Sequence, residues 1–319
     1  MDTDLSEVSP KVRENLELPV FMGSGLAAPQ RPGMTAEFSA SAVHGVAEIG
    51  FAVRDGKTRL AHLYERHPLR ALFPTPTEGD AALAVLVTTS GGLVAGDRVD
   101  IAVEAGAGAV AHVTGSAAEK IYRSTGATTI VDQRLEARPG AWLEFLPPET
   151  ILFDRARLRR ETRVALAAGA GFLGGGIIVF GRIAMGERFG AGLLHEGWEI
   201  RRDGALVWGD ALHVADDQGG DVAAIMADPA CFAGAEACAT LILAPQDGEP
   251  RRFVDPARQA RQRLAADGLR AGVTALNGVL VARWLGDAVS VRRAYADLAC
   301  HLRAAAMGLP PRLPRLWHV

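Results

Sequence analysis

From Glu48 to about Leu243 the chain repeats one pattern: short runs of alternating apolar and polar residues, each closed by glycine or an Asp-Gly turn about ten residues after the last. Period-two alternation gives an extended strand one wet face and one dry face. Phe51 and Val53 lead into Asp55-Gly56, and Thr58 and Leu60 lead out. Asp-Gly supplies the positive φ that a tight hairpin requires. Val99, Ile101 and Val103 alternate with Arg98, Asp100 and Glu104, and Trp198 and Ile200 with Glu199 and Arg201, ahead of a second such turn at Asp203-Gly204. Many short strands at this spacing predict a mainly β fold: a large, antiparallel, multi-stranded and sandwich-like architecture. No internal repeat or low-complexity block is visible.

Two helices are predicted near the C-terminus. Over 256–267, Asp255 suits the N-cap, Pro256 the first helical position and Gly268 the residue after the end. Over 290–307, Val291, Ala294, Tyr295, Leu298, Leu302 and Ala305 form one apolar stripe at helical spacing, and Gly308 with Pro310-Pro311 stops the helix. The stripe either docks on the chain's own sheet or offers a surface to a partner. Residues 1–33, rich in Asp, Glu, Ser, Pro and Gly, read as a flexible tail, leaving 34–319 as one domain.

Charge limits the partners. Lys+Arg 34 against Asp+Glu 37 gives a net charge of −3, with no basic excess to neutralise a phosphate backbone, so nucleic acid is not expected. Three cysteines, at 231, 238 and 300, make neither a CxxC pair nor a disulfide framework, and a reducing, cytoplasmic setting is expected. The opening Met1-Asp2-Thr3-Asp4 has no basic or apolar leader region. Val164 to Gly181 is uncharged over a length at the lower edge of a membrane span. Its six glycines each cost a helix roughly 1 kcal/mol against alanine, so two short buried strands around a glycine bend are predicted instead.

Several motifs fail on physical grounds. Gly169-x-Gly171-x-x-Gly174 matches a dinucleotide-binding pattern, but strand-like Gly176-Ile177-Ile178-Val179 follows where a helix should hold the pyrophosphate. No GxxxxGK[ST] or GxSxG occurs. His62 and His67, around Glu65, lie on opposite faces of a strand and cannot share one ion from a regular element. What remains are acids in apolar or glycine-rich settings: Asp97 after Gly91-Gly92-Leu93-Val94-Ala95-Gly96, Glu144 and Glu149 around Phe145-Leu146-Pro147-Pro148, and Glu187 after Gly186. An ionised carboxylate there must be paired, held by backbone amides, or beside water.

These same stretches carry a resemblance. Lys57-Thr58-Arg59-Leu60 with His67 to Pro74, the Gly91, Gly92 and Gly96 loop ending at Asp97, and Thr114 to Ser124 with Lys120, Tyr122 and Arg123 are similar to segments of the UreD (UreH) family of urease accessory proteins. So are Leu143 to Ile151 with Glu144, Gly181-Arg182 with Gly186-Glu187, and Pro314-Arg315-Leu316-Trp317. The chain departs from the family pattern at Ser90, Ala95, Gly115-Ser116-Ala117 and Pro148.

The resemblance implies a non-enzymatic assembly factor that binds UreF, through it the GTPase UreG, and apo-urease. It also implies no tightly bound cofactor, with nickel in transit. An ion that must leave again suits spaced carboxylates and water better than a closed cage. Asp97, Glu149 and Glu187 are accordingly expected to line a nickel passage. Tyr295, Leu298, Leu302, Leu313, Arg315 and Trp317 are expected to grip UreF, since aromatic and Arg anchors dominate interfaces. The rival reading is a hydrolase using Asp97 and Glu149 as acid and base.

Overall fold

A computed structural model describes residues 42–263 and 268–318. The expected tail at 1–33, the first residues of the expected domain, and the last turn of the helix expected at 256–267 lie outside the described residues. In chain order the elements are β1 (His44–Arg54), β2 (Lys57–Arg66), β3 (Leu69–Leu72), β4 (Ala82–Thr88), β5 (Arg98–Ala105), β6 (Val110–Gly115) and β7 (Glu119–Ile121). There follow β8 (Thr129–Ala137), β9 (Trp142–Phe145), β10 (Thr150–Leu152), β11 (Arg157–Leu166), β12 (Gly171–Phe180), β13 (Leu193–Arg202) and β14 (Ala205–Ala215). The last are α1 (Val222–Ala227), β15 (Ala237–Ala244), α2 (Val254–Arg263), β16 (Arg270–Leu276), β17 (Val279–Gly286) and α3 (Ala288–Met307).

The fold is mainly β, as the alternation predicts, but its two sheets are mixed rather than purely antiparallel. One sheet has the order β14-β13-β11-β8-β5-β1-β2; the other runs β16-β17-β15-β12-β9-β6-β4-β3, with β10 joining β12 to β7. Strands β1, β5, β8, β11 and β13 are parallel neighbours in the first sheet. Strands β4, β6, β9 and β12 are parallel neighbours in the second. Parallel neighbours need a long crossover. Here that crossover is a strand of the opposite sheet, so the chain coils from sheet to sheet. Successive rungs of the second sheet begin at residues 82, 110, 142 and 171. This structural repeat leaves no sequence repeat, because each rung needs only an apolar inward face: Val113 stands in register with Phe145, and Val99 with Val131.

The turns behave as their chemistry demands. Asp55 and Gly56, then Asp203 and Gly204, take positive φ in the β1–β2 and β13–β14 hairpins. The uncharged 164–181 stretch is the end of β11, a bend at Gly169 (φ +67°) and strand β12. Strand β12 lies between β9 and β15, buried on both faces. A Cβ at Gly175 would fall 2.0 Å from the Thr240 carbonyl oxygen, so the sheet closes there only around glycine. No helix among the described residues is long and apolar enough to cross a membrane.

One apolar core fills the space between the sheets, and a second lies between the other face of the second sheet and α3. Asp287 caps α3, accepting from the Ser290 N–H at 2.9 Å, and Gly308 (φ +66°) ends it. Helix α2 starts earlier than the sequence suggests: a 3₁₀ turn over Pro250–Phe253 feeds it, which places Asp255 in the first turn and not at the cap.

The second core encloses a buried ion pair. Glu144 faces α3 from β9 with no solvent exposure. Its carboxylate accepts from the Arg303 guanidinium at 2.9–3.2 Å, from Trp142 Nε1 at 3.1 Å, and lies 3.1 Å from His112 Nδ1. Arg303 also donates to the carbonyls of Pro310 and Arg312 and to Asp80. Burial alone would raise the Glu144 pKa; the hydrogen bond and charge of His112 and the charge of Arg303 outweigh it and hold the group at about 2, below the ordinary 4.5.

A depressed folded-state pKa gives stability that is complete above the ordinary value and lost as pH falls through the folded one. Glu144→Gln, which strands Arg303 beside a neutral amide, is expected to cost about 3–5 kcal/mol at neutral pH. The gap from wild type should close between about pH 4.5 and 2. Thermal melts across that range check this, and a gap that stays constant down to pH 2 contradicts it.

Candidate functional site

The glycine loop between β4 and β5 is shaped by its own close contacts. Gly91 and Gly92 have φ +77° and +144°, and a Cβ on Gly92 would meet the Tyr122 ring at 2.6 Å and the Lys120 carbonyl at 2.8 Å. Without it, the loop lies flat on the segment after β7. Leu93 N–H donates to Lys120 O at 2.8 Å, Tyr122 N–H to Leu93 O at 2.9 Å, and Tyr122 OH to Gly91 O at 3.1 Å. Tyr122 meets the Phe153 ring edge-on at 4.8 Å, and the Arg182 guanidinium covers that ring at 4.6 Å. Arg182 pairs with Glu187, which also accepts the Asp154 N–H at 3.1 Å. Gly181 (φ +118°) permits this, since a Cβ there would lie 2.3 Å from Glu187 O, and Gly186 (φ +72°) closes the 3₁₀ turn between them. Exposed Arg123 bridges antiparallel to Ala156. The motif segments around residues 91, 122, 154 and 182–187 thus meet in one cluster.

Between the sheets, beside this cluster, lies a cavity of about 180 Å³. Gly91, Gly92, Lys120, Glu119, Gln133 and Arg160 are among the residues that bound it. Thr88 OH donates to the Glu119 carboxylate, as does the Lys120 N–H at 3.2 Å, yet burial still pushes the Glu119 pKa up. Arg160 does not stand as a bare cation. Its Nε donates to Glu196 at 2.6 Å and its Nη1 to Thr150 at 2.9 Å, while Trp198 Nε1 donates to the other Glu196 oxygen at 3.1 Å. Thr162 donates to Gln133 at 2.8 Å. A smaller void bounded by Gly176, Glu196 and Trp198 shares Gln133, Thr150 and Arg160 with the first. These polar groups sit at inward strand positions, where the alternation calls for apolar residues, and that mismatch is the signal by which the sequence marks them.

The three acids expected to line a nickel passage are each held by other groups of the chain. Asp97 is 2% exposed, and its two carboxylate oxygens accept from the Val43 N–H at 2.9 Å and the Val94 N–H at 2.8 Å. It locks its own loop, helped by Gly96 (φ +84°). Glu149 pairs with Arg292 at 3.0 Å. Glu187 is held by Arg182, whose hydrogen bond keeps its pKa below the carboxylate range, with burial opposing and the Asp154 amide assisting. None of the three lines the inter-sheet cavity. Asp97 and Glu149 are held by different groups, the first by backbone amides and the second by Arg292. Among the described residues no group of three or more His, Cys, Asp or Glu could hold a metal ion.

The expected partner anchors also need correction. Tyr295, Leu298, Leu302, Leu313 and Trp317 are buried in the chain's own second core. Trp317 stacks on Tyr295 at 5.8 Å and donates to Thr114 Oγ1 at 3.2 Å. The apolar stripe is consumed by the sheet, and only Arg315 of that set is exposed.

Asp97→Ala removes the acceptor for two amides at a buried site, which costs roughly 1–3 kcal/mol per unsatisfied group. The expected outcome is a destabilised chain, read as a lower melting temperature, with Asp97→Asn intermediate. An unchanged melting temperature for the alanine variant contradicts the locking role.

Comparison with known proteins agrees with the motif cluster. The family model described as UreD urease accessory protein matches residues 43–318. The urease accessory protein UreD of Magnetococcus marinus is 42% identical over 280 residues, covering 87% of this chain and 94% of that protein. UreD 3 of Bradyrhizobium sp. BTAi1 is 40% identical over 281 residues, covering 88% and 95%. UreD of Xanthobacter autotrophicus is 42% identical over 263 residues, covering 82% and 85%. With a family model matched from 43 to 318 and relatives about 40% identical over most of both chains, the chain belongs to the UreD family of urease accessory proteins.

Proposed function

We propose that the chain is a non-catalytic scaffold in urease maturation, acting in the cytoplasm, which binds UreF, through it UreG, and apo-urease, and lets nickel pass between its two sheets. The observation that carries this reading is the inter-sheet cavity beside the family motifs, a mainly apolar space into which Glu119, Gln133, Thr150 and Arg160 bring polar groups. Its acid is Glu119; of its two cations, Arg160 is neutralised by Glu196 and Lys120 stands exposed at the rim. A divalent ion meets there one carboxylate, hydroxyl and amide oxygens, and room for water, a ligand set that binds without retaining. Asp97, Glu149 and Glu187 then serve the passage indirectly, by fixing the loops around it. The UreF contact falls to the outer side of α3, where Arg293, Asp297 and His301 are exposed, together with Arg315.

The test is urease produced together with its accessory proteins and either wild-type chain or Glu119→Gln. Nickel per urease active site, measured by elemental analysis, is expected to drop several-fold with the variant, while UreF and apo-urease still co-purify with it. Full nickel loading by Glu119→Gln contradicts the passage role.

A further inference from the structure

Among the described residues strand β2 ends the first sheet and pairs only with β1. Its ten residues therefore leave one row of backbone N–H and C=O groups unpaired. The register sorts its side chains by face. Leu63 stands beside Ile49 and Leu60 beside Phe51, on the face that looks into the sandwich. Ile49 and Phe51 are 2% and 3% exposed, whereas Leu63 and Leu60, one strand further out, are 41% and 38% exposed. The opposite sheet thus stops covering the interior one strand short of this edge.

The apolar surface continues past β2. Of the eleven large hydrophobic residues exposed among the described ones, six lie between Val53 and Phe73, including Tyr64 and Leu72. Scattered exposed hydrophobics are ordinary; a concentration along one open strand edge marks a contact site. On the solvent face of the same strand stand Lys57, Arg59 and Arg66. Lys57 and Arg59 have no ion-pair partner among the described residues, although most other charges of this sheet are paired. From Val53 to Phe73 there are five basic and two acidic residues, in a chain whose net charge is −3.

We propose that β2 is an interaction edge that accepts an extended segment of a partner protein, apolar at alternate positions and acidic between them. The occupant follows from the edge itself. Unpaired backbone selects an extended strand, Leu60 and Leu63 select apolar side chains on its inward face, and Lys57, Arg59 and Arg66 select carboxylates on its outward face. The proposal rests on the reading of the chain as an assembly scaffold.

The experiment uses the full chain, tagged and produced with the urease subunits and accessory proteins. Hydrogen exchange is followed at Lys57–Arg66 in the free chain and in the purified complex. Amides of β2 are expected to slow at least tenfold on assembly. Leu60→Glu/Leu63→Glu is expected to reduce the retained partner at least tenfold without a change in melting temperature. Lys57→Glu/Arg59→Glu should weaken retention and abolish its dependence on salt. Unaltered retention by both variants, or no protection of β2, overturns the proposal alone. A wild-type chain that sediments as a dimer dissolved by Leu60→Glu/Leu63→Glu makes a second copy the occupant and also overturns it. A wild-type chain that retains neither urease nor UreF overturns the proposal and the scaffold reading together.

Discussion

Glu144 and Arg303, two opposite charges removed from water, hold together parts of the chain 159 residues apart. Strand β9 lies in the middle of the second sheet and faces apolar core on both sides, so a carboxylate on it has no route to solvent. Desolvation opposes both ions, and only complete pairing makes the arrangement tolerable. The two ions are fully engaged: the carboxylate meets guanidinium, indole and imidazole, and the guanidinium is further spent on Asp80 and on two carbonyls of the C-terminal tail, while His112 Nε2 has no partner among the described residues. Apolar packing would let α3 slide along the sheet. The ion pair admits one position, and with it fixes where the tail crosses and where Trp317 stacks on Tyr295.

Fixing α3 on one face leaves the coil free to be specialised elsewhere. The solvent face of the first sheet carries rungs of charge in register, Asp100 beside Asp132 beside Glu161, answered by Arg98, Arg163 and Arg159. The loops at one end are held by glycines whose missing side chains let backbone meet backbone or ring. Gly92 against Tyr122 and Gly181 against Glu187 do the same work at two corners of the motif cluster. The clustered motifs, far apart in sequence from Gly91 to Glu187, meet because each turn of the coil returns the chain to the same end.

How far the sequence foretold this varies with the range of the interaction. Strand character, the two Asp-Gly hairpins and the α3 stop at Gly308 are local and could be read directly. The strand neighbours could not. A wet–dry alternation such as that of Arg98–Ala105 fits a parallel rung as well as an antiparallel one, because it reports which face is dry and not which strand lies alongside. The site divided similarly. The glycines, Lys120, Tyr122, Arg123 and Arg182 were visible as a motif set, yet Asp97, conspicuous after its glycine loop, binds its own backbone. Nothing local in the sequence sets Glu119 apart; it is the coil that places it beside Arg160 and Gln133. The stripe of Tyr295, Leu298 and Leu302 was ambiguous for the same reason: an apolar helix face does not say whose sheet it covers.

The interior polar groups then bear on the kind of passage proposed. A cation entering between the sheets pays for lost hydration unless oxygen atoms replace it, and a fixed positive charge would repel it. Arg160 would be such a charge were it not tied to Glu196 on the neighbouring strand and to Thr150. Glu119, with its pKa raised by burial, holds its proton more firmly than an exposed acid does. A cavity with one such acid therefore exchanges its ion, whereas several ionised carboxylates converging at that depth would trap it.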